Sequence, residues 1–238
     1  MLNRIIDISI SISIIVLFSP FIVLILLYIF LITGDNPVFL QERKISLDKK
    51  GFKLIKIRTI RNSKQFLELE DKSSEIFIKE GYENFVPPFC RWLRKSGFDE
   101  ILQIINVLKG EMSIIGPRPL LITDLQIMKK EGNEYYQRRT KLNSKPGITG
   151  YWQVFGERIR GIQNLVELDD KYEKEKSLLL DLKIFFRTFI IFATASHSDS
   201  IIPGKNKSNI LYNNIIRFSP YKILNNKILS ILPESFRN

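Results

Sequence analysis

Three observations predict an α/β protein carrying a membrane element. Residues 8–34 contain no charged side chain. Residues 38–40 and 52–58 are short, partly alternating apolar runs, the pattern of strands. Residues 98–109, 120–141 and 165–195 read as helical. The chain accordingly divides into a membrane helix (1–34), a small α/β domain (35–195) and a basic C-terminal tail (196–238).

With 45% hydrophobic and 26% charged residues among 238, the chain is not disordered by composition. Its formal net charge of +11 points to polyanionic partners. Among nucleic acid, nucleotide phosphates and acidic lipid headgroups, the membrane segment favours the lipid, because Lys and Arg gather on cytoplasmic flanks. Nucleic acid is the poorest candidate: the basic residues are spread along the chain and no groove-reading motif occurs. Cys90 is the one cysteine, which excludes an internal disulfide and a cysteine zinc cage, and it reads as a packing residue. His197 is the one histidine, so a histidine metal site or catalytic triad has no other source.

If helical, residues 8–34 extend about 40 Å, enough for a bilayer core of about 30 Å. The run is too long for a signal peptide, and no Ala-x-Ala site follows it. Pro20 removes a backbone hydrogen bond and crowds the preceding turn. A bend is therefore expected at Ser19-Pro20, with the Ser19 hydroxyl rebonding a freed carbonyl. Two courses stay open: a kinked helix that spans the bilayer, and a re-entrant hairpin that enters and leaves on one face. Arg4 on one flank and Arg43, Lys44, Lys49 and Lys50 on the other favour two cytoplasmic ends; Asp7 counts against them.

Beyond the membrane, residues 38–40 and 52–58 form a hairpin around a turn at Asp48-Lys49-Lys50-Gly51, with Lys56 and Arg58 on one face. Alone, these would be two exposed strand cations. Residues 62–84 are polar and read as helix or loop. A helix over 98–109 closes at Gly110. Asp99 falls in its first turn, where the helix dipole, Arg94 and Lys95 keep a carboxylate ionised, as a nucleophile requires. Glu100 stands beside it, and adjacent carboxylates near cations suit an anionic, metal-dependent reaction. Residues 120–141 read as helical and end basic, with Arg138, Arg139 and Lys141. In Lys145-Pro146-Gly147-Ile148-Thr149-Gly150, Pro and Gly set a loop whose amides are free to face phosphate oxygens. Tyr151, Trp152 and Gln153 then add flat surfaces and an amide. The plainer reading of this stretch is a turn into a core strand.

Residues 165–195 make one or two helices. Leu178, Leu179, Leu182, Phe185, Phe186, Phe189 and Ile190 form a broad stripe suited to the core or to a membrane surface. In the tail, Lys205, Lys207, Arg217, Lys222, Lys227 and Arg237 accompany Leu224, Ile228, Ile231 and Leu232 at helical spacing. An interfacial helix and a solvated basic tail are both open there. A phosphate-handling site behind a membrane segment suggests an enzyme joining a soluble phosphorylated substrate to a lipid.

Taken in order, these segments resemble the bacterial sugar transferase family, the monotopic phosphoglycosyl transferases, over residues 1–194. The likeness is carried by Ser19-Pro20, by Pro37-Val38-Phe39 with Gln41 and Arg43, and by Lys56-Ile57-Arg58-Thr59. Asp99-Glu100, Asn106-Val107-Leu108-Lys109-Gly110-Glu111-Met112-Ser113, Gly116-Pro117-Arg118-Pro119, Lys145 to Gly150 and the SLLLDLK run at 177–183 complete it. The resemblance implies a re-entrant helix hairpin on the cytoplasmic face of the inner membrane, with a small α/β catalytic domain and interfacial amphipathic helices. It implies transfer of a sugar phosphate from a UDP-sugar to polyprenyl (undecaprenyl) phosphate with release of UMP, the step that initiates a bacterial surface glycan. Asp99 would be the nucleophile, forming an aspartyl-phosphosugar intermediate. Glu100 would bind Mg²⁺, with Arg94, Arg118, Lys56, Arg58 and Gln153 around the substrate phosphates, and Ser19 and Pro20 would set the membrane bend. A homo-oligomer is left open.

The chain departs from the family pattern in two places. Gly97-Phe98 precede the acidic pair where Ser-Leu is usual, and Ile101-Leu102 follow it where Leu-Pro is usual. GYENFVPPF, residues 81–89, replaces a common upstream segment, which bears on substrate selectivity. Rival readings are direct phosphosugar transfer without a covalent step and an inactive membrane scaffold of a glycan assembly complex.

Overall fold

The computed structural model describes residues 2–60, 86–156 and 161–194. The polar 62–84 stretch and the whole tail beyond 194 lie outside the described residues.

Helix α1 runs unbroken over Leu2–Thr33. Among the described residues it is the one helix long and apolar enough to cross a membrane, with a mean hydropathy of 3.0. It passes Pro20 without ending. Pro20 has no N–H for the Val16 carbonyl, and the Ser19 hydroxyl donates to that same carbonyl at 3.4 Å. The segment is thus one helix rather than two joined by a turn. Its buried positions, Asp7, Ser11, Ile25 and Ile29, fall with half-buried Phe18 and Ile22 on a single three-four stripe. That stripe rests on the soluble body at both ends. Near the start, Arg4 donates to the Val107 and Leu108 carbonyls at 2.6 and 2.9 Å. One turn on, Asp7 accepts from the Ser113 hydroxyl at 2.8 Å and the Ile114 amide at 3.0 Å. Toward the other end, Ile25 and Ile29 pack with Ile55, Ile57, Cys90 and Leu93. Val16, Leu17, Val23, Leu24, Leu27 and Leu31 face outward.

Strands β1 (Val38–Lys44) and β2 (Phe52–Ile57) form the expected antiparallel hairpin, in register from Val38 opposite Ile57 to Arg43 opposite Phe52. The connection is wider than the expected four-residue turn, because the hairpin pairing ends at Arg43 opposite Phe52. Its loop is tied down by Tyr136, whose hydroxyl donates to Asp48 at 2.8 Å. Helix α2 (Pro88–Ser96) ends at Gly97, which takes the left-handed conformation with φ 76°. A single 3₁₀ turn, Phe98–Glu100, follows, and helix α3 starts only at Gln103 and ends at Lys109. The helix expected over 98–109 is therefore split. Glu100, Ile101, Ile104 and Ile105 bond back three residues rather than four, so the chain winds tightly before the α-helix begins. Gly110 closes α3 as expected, with φ 80°.

Residues 120–141 are helical as expected except at their start and at one break. Leu120–Leu121 form β4, which pairs with Arg43 and Lys44 on the outer edge of β1. Helices α4 (Ile122–Glu131) and α5 (Asn133–Thr140) then break at Gly132. A second, parallel sheet joins β3 (Ser113–Ile115) to β5 (Gly147–Thr149). Helix α6 (Tyr151–Phe155) leads to α7 (Gly161–Glu175) and α8 (Leu178–Ala193), two helices in the stretch read as one or two. Ser177 caps α8 by accepting from the Leu180 amide. On α8, Leu178, Leu179, Leu182, Phe186, Phe189 and Ile190 are exposed while Ile184 is fully buried.

Candidate active site

Asp99 and Glu100 occupy the 3₁₀ turn, and both are buried, at 8% and 7% exposure. Gly97 makes this placement possible: its left-handed backbone ends α2 and swings the next three residues against β2. Asp99 is therefore not in the first turn of a helix, as the sequence pattern suggested; α3 begins four residues later. The Lys56 ammonium lies 2.6 Å from Glu100 Oε1, joining residues 44 apart in sequence. Strand β2 presents Lys56 there because Asn106, fully buried in α3, accepts from the Ile55 amide at 3.0 Å and donates to the Lys53 carbonyl at 2.8 Å. Asn106 also donates to Glu111 at 2.7 Å, so its amide is satisfied on both sides.

Arg94, in the last turn of α2, donates to the Thr59 hydroxyl at 3.0 Å just past β2. Cys90 lies under this group. Burial first, and then the Asp99 charge, push its thiol up to about 11, with Arg94 pulling the other way. Asp99, Glu100, Lys56 and Arg94 are thus brought together. Arg58 follows the last paired residue, Ile57, donates to the Asn36 carbonyl at 2.6 Å and lies 5.4 Å over the ring of Phe39, the residue opposite Lys56, so the two cations share a face as expected.

Phe98, one residue before Asp99, is where the site meets the membrane helix. Its ring stands edge-on to Phe18 and Phe21 at 6.0 and 6.4 Å between centroids, and stacks on Trp92 at 6.5 Å. An aromatic residue in place of the usual Leu therefore seats the Asp99–Glu100 turn against α1.

Arg118 and Gln153 belong to a second group, built on the β3–β5 sheet. Gly116 and Gly147 face each other so closely that a Cβ on Gly147 would lie 2.1 Å from the Gly116 nitrogen. Gly116 donates to the Thr149 carbonyl and Gly147 to the Pro117 carbonyl, each at 3.0 Å. The Gly147 amide, one of those expected to face phosphate, thus serves the clamp between the two segments. The Arg118 guanidinium lies 5.4 Å over the Trp152 ring. Gln153 is buried, and neither end of its side-chain amide has a hydrogen-bond partner, a state that costs stability unless something else engages it.

Beneath Arg118 sit two residues that sequence reasoning missed. Arg139 is fully buried and bonds Asp169 at 2.6 Å, with side-chain exposures of 0% and 1%. It also donates to the Arg118 carbonyl at 2.7 Å and to the Ile45 carbonyl at 3.1 Å. Burial pushes the Asp169 carboxyl up to about 6 against the pull of Arg139. In the sequence, Arg139 looks like one more cation of a basic helix end. Only its spacing from Tyr136 on an inward face could have marked it.

Among the described residues, no three His, Cys, Asp or Glu side chains converge on one point. An all-protein metal cage is therefore not offered by them. The adjacent carboxylates fit Mg²⁺, which takes one or two carboxylates and draws its remaining ligands from water and substrate phosphate.

Buried paired carboxylates among cations, set against a helix long and apolar enough to cross a membrane, suit a protein that handles phosphate groups beside a bilayer. Comparison with known proteins narrows this class: residues 1–195 match the family model described as bacterial sugar transferase, and the chain belongs to that family. It is 33% identical over 197 residues to a UDP-galactose-lipid carrier transferase of Erwinia amylovora, a match covering 79% of this chain and 39% of that protein. It is 31% identical over 195 residues to the undecaprenyl-phosphate galactose phosphotransferase of Salmonella typhimurium, with the same two shares. The exopolysaccharide production protein ExoY of Rhizobium meliloti is 31% identical over 202 residues, 79% of this chain and 84% of that one. The chain thus spans under half the length of the first two relatives and most of the third.

Proposed function

We propose that the protein transfers a sugar 1-phosphate from a UDP-sugar to undecaprenyl phosphate and releases UMP, as a first step in building a bacterial surface glycan. The observation that carries this reading is the buried Asp99–Glu100 turn, with Lys56 on Glu100 and Phe98 against the membrane helix. Relatives named for undecaprenyl phosphate, for a UDP-sugar lipid carrier and for exopolysaccharide production support it.

In the mechanism we infer, a carboxylate oxygen of Asp99 attacks the sugar-linked phosphorus of the UDP-sugar. The bond to the bridging oxygen breaks, and UMP leaves with the electron pair. An oxygen of the polyprenyl phosphate then attacks the same phosphorus and returns the Asp99 carboxylate. No proton need be moved in either half. A covalent intermediate lets two anionic substrates use one site in turn. Lys56, Arg94 and Arg118 offset the phosphate charge that would repel the carboxylate. Glu100 would hold Mg²⁺, and the chemistry a bound Mg²⁺ supplies is further neutralisation of the diphosphate.

We also propose that α1 enters and leaves the bilayer on the cytoplasmic side of the inner membrane. Arg4 and Asp7 at one end and Ile25 and Ile29 at the other touch one soluble body, which supports both ends lying on one face. The exposed apolar sides of α1 and α8 support contact with lipid.

The test is UMP release by the purified full chain in detergent or nanodiscs, given undecaprenyl phosphate, Mg²⁺ and a panel of UDP-sugars. Release that needs the lipid phosphate and one UDP-sugar is expected. No release with any of them overturns the reading.

A further inference from the structure

The geometry points to Arg139 and Asp169 as positioning residues that fix the Arg118 loop for its phosphate contact. This deepens the proposed transferase reading and rests on it.

Arg139 reaches three separate segments with one guanidinium: Ile45 after β1, Arg118 after β3, and Asp169 on α7. A planar guanidinium has donors in a fixed fork, so it sets the angles between its partners as well as their distances. The Arg118 peptide lies between both members of the pair. Its carbonyl accepts from Arg139 at 2.7 Å. Its amide favours the ionised Asp169 carboxylate, although Asp169 Oδ1 closes no full hydrogen bond. On the other side, Gly116 and Pro117 are bonded to Thr149 and Gly147, and Pro117 and Pro119 have no N–H to offer. From Gly116 to Arg118, the main chain is held residue by residue, and the Arg118 side chain projects from a fixed point over Trp152.

Stability alone gives little reason for such a pair. Taking two charges fully out of water costs several kcal/mol per ion, and apolar replacements of similar size are often neutral or better. A fixed loop with a directed cation is what the pair supplies that an apolar pair cannot. The bond to Ile45 extends the hold to the β1–β2 hairpin, which also carries Lys56.

The experiment uses the full-length protein in nanodiscs. The double variant Arg139→Met/Asp169→Leu removes both charges and leaves neither orphaned. Its melting temperature, its KM for the UDP-sugar, its kcat and its direct affinity for UMP are compared with wild type and with Arg118→Ala. We expect a folded protein with KM and UMP dissociation constant each raised roughly tenfold and kcat changed less, as for loss of a positioned phosphate contact. Adding Arg118→Ala to the double variant should cost little more, because the three residues act through one contact. A folded double variant with unchanged KM and UMP affinity overturns the inference, as do losses that simply add to those of Arg118→Ala. If the double variant does not fold, Arg139→Lys decides. It keeps the charge near Asp169 and loses the fork to Arg118, so an unchanged KM there is equally fatal. Wild-type turnover is read first: silence with every UDP-sugar removes the transferase reading, and this inference with it. Normal wild-type turnover beside unaffected variants removes this inference alone.

Discussion

Asp99→Asn keeps the shape of the side chain and removes the charge that would attack phosphorus. Turnover should fall by about 10³ or more, read as UMP release per folded enzyme; near-normal turnover would exclude Asp99 as the nucleophile. Glu100→Gln should instead shift the Mg²⁺ titration to higher concentration, and an unshifted curve would move the metal elsewhere. Cys90 gives a prediction in pH. Its folded pKa, about 11, lies above the ordinary 9.0, so between those values the unfolded chain loses this proton while the native chain keeps it. Stability therefore falls as pH rises through that window. Cys90→Ala should flatten that part of a melting curve series, and an identical slope would show that Cys90 stays accessible to water. The acidic pair was legible because its members are adjacent and follow two cations. The Lys56 partner was not, since a pairing across 44 residues has no local signature. Arg139 was hidden for the opposite reason: it sits beside Arg138, and only burial separates them.

Elements were legible where one pattern runs the length of a segment. The hairpin, the Gly110 stop and the two late helices follow from alternation, a left-handed glycine and an apolar stripe. The stretch 98–109, expected as one helix, is split, and the helical stretch 120–141 starts two residues late. In the first, Gly97 and the tight 3₁₀ bonding delay α3. In the second, the two leucines that look like a helix start complete the edge of β1. Local backbone geometry decides the first, and tertiary pairing outweighs local propensity in the second. Two glycines separate backbone conformation from space. At Gly110 a Cβ would meet only ordinary contacts of 3.6 Å or more, so Gly110→Ala should cost just the left-handed penalty, about 1 kcal/mol. At Gly147 it would strike the Gly116 backbone, so Gly147→Ala should cost about 3 kcal/mol or more and abolish activity. Denaturant midpoints of the two variants test this, and equal losses would mean the β3–β5 clamp yields easily.

Across the whole molecule, the order of membrane helix, hairpin and acidic turn was readable from hydropathy and motif spacing. The course of α1 was not, because a charge-free run says nothing about what lies beside it. Its contacts with the body at both ends lead to a labelling prediction: single cysteines at Asn3 and at Lys50, in a Cys90→Ala background, should both react only from the cytoplasmic side. A periplasmic signal at Asn3 would establish a true span. The hydroxyl of Ser19 answers the carbonyl left by Pro20, so replacing both by Ala or Leu should stiffen the helix and carry Asn3 across. Unchanged labelling would assign the bend to the contacts at the ends instead. Phe18 and Phe21 bracket that proline and both touch Phe98. The point where α1 lacks a backbone hydrogen bond therefore lies against the turn that holds Asp99. Two aromatic contacts join the stretch around Pro20 to the neighbour of Asp99, so under the proposed lipid-linked reaction the bilayer around α1 would act on the site mechanically as well as supply the acceptor.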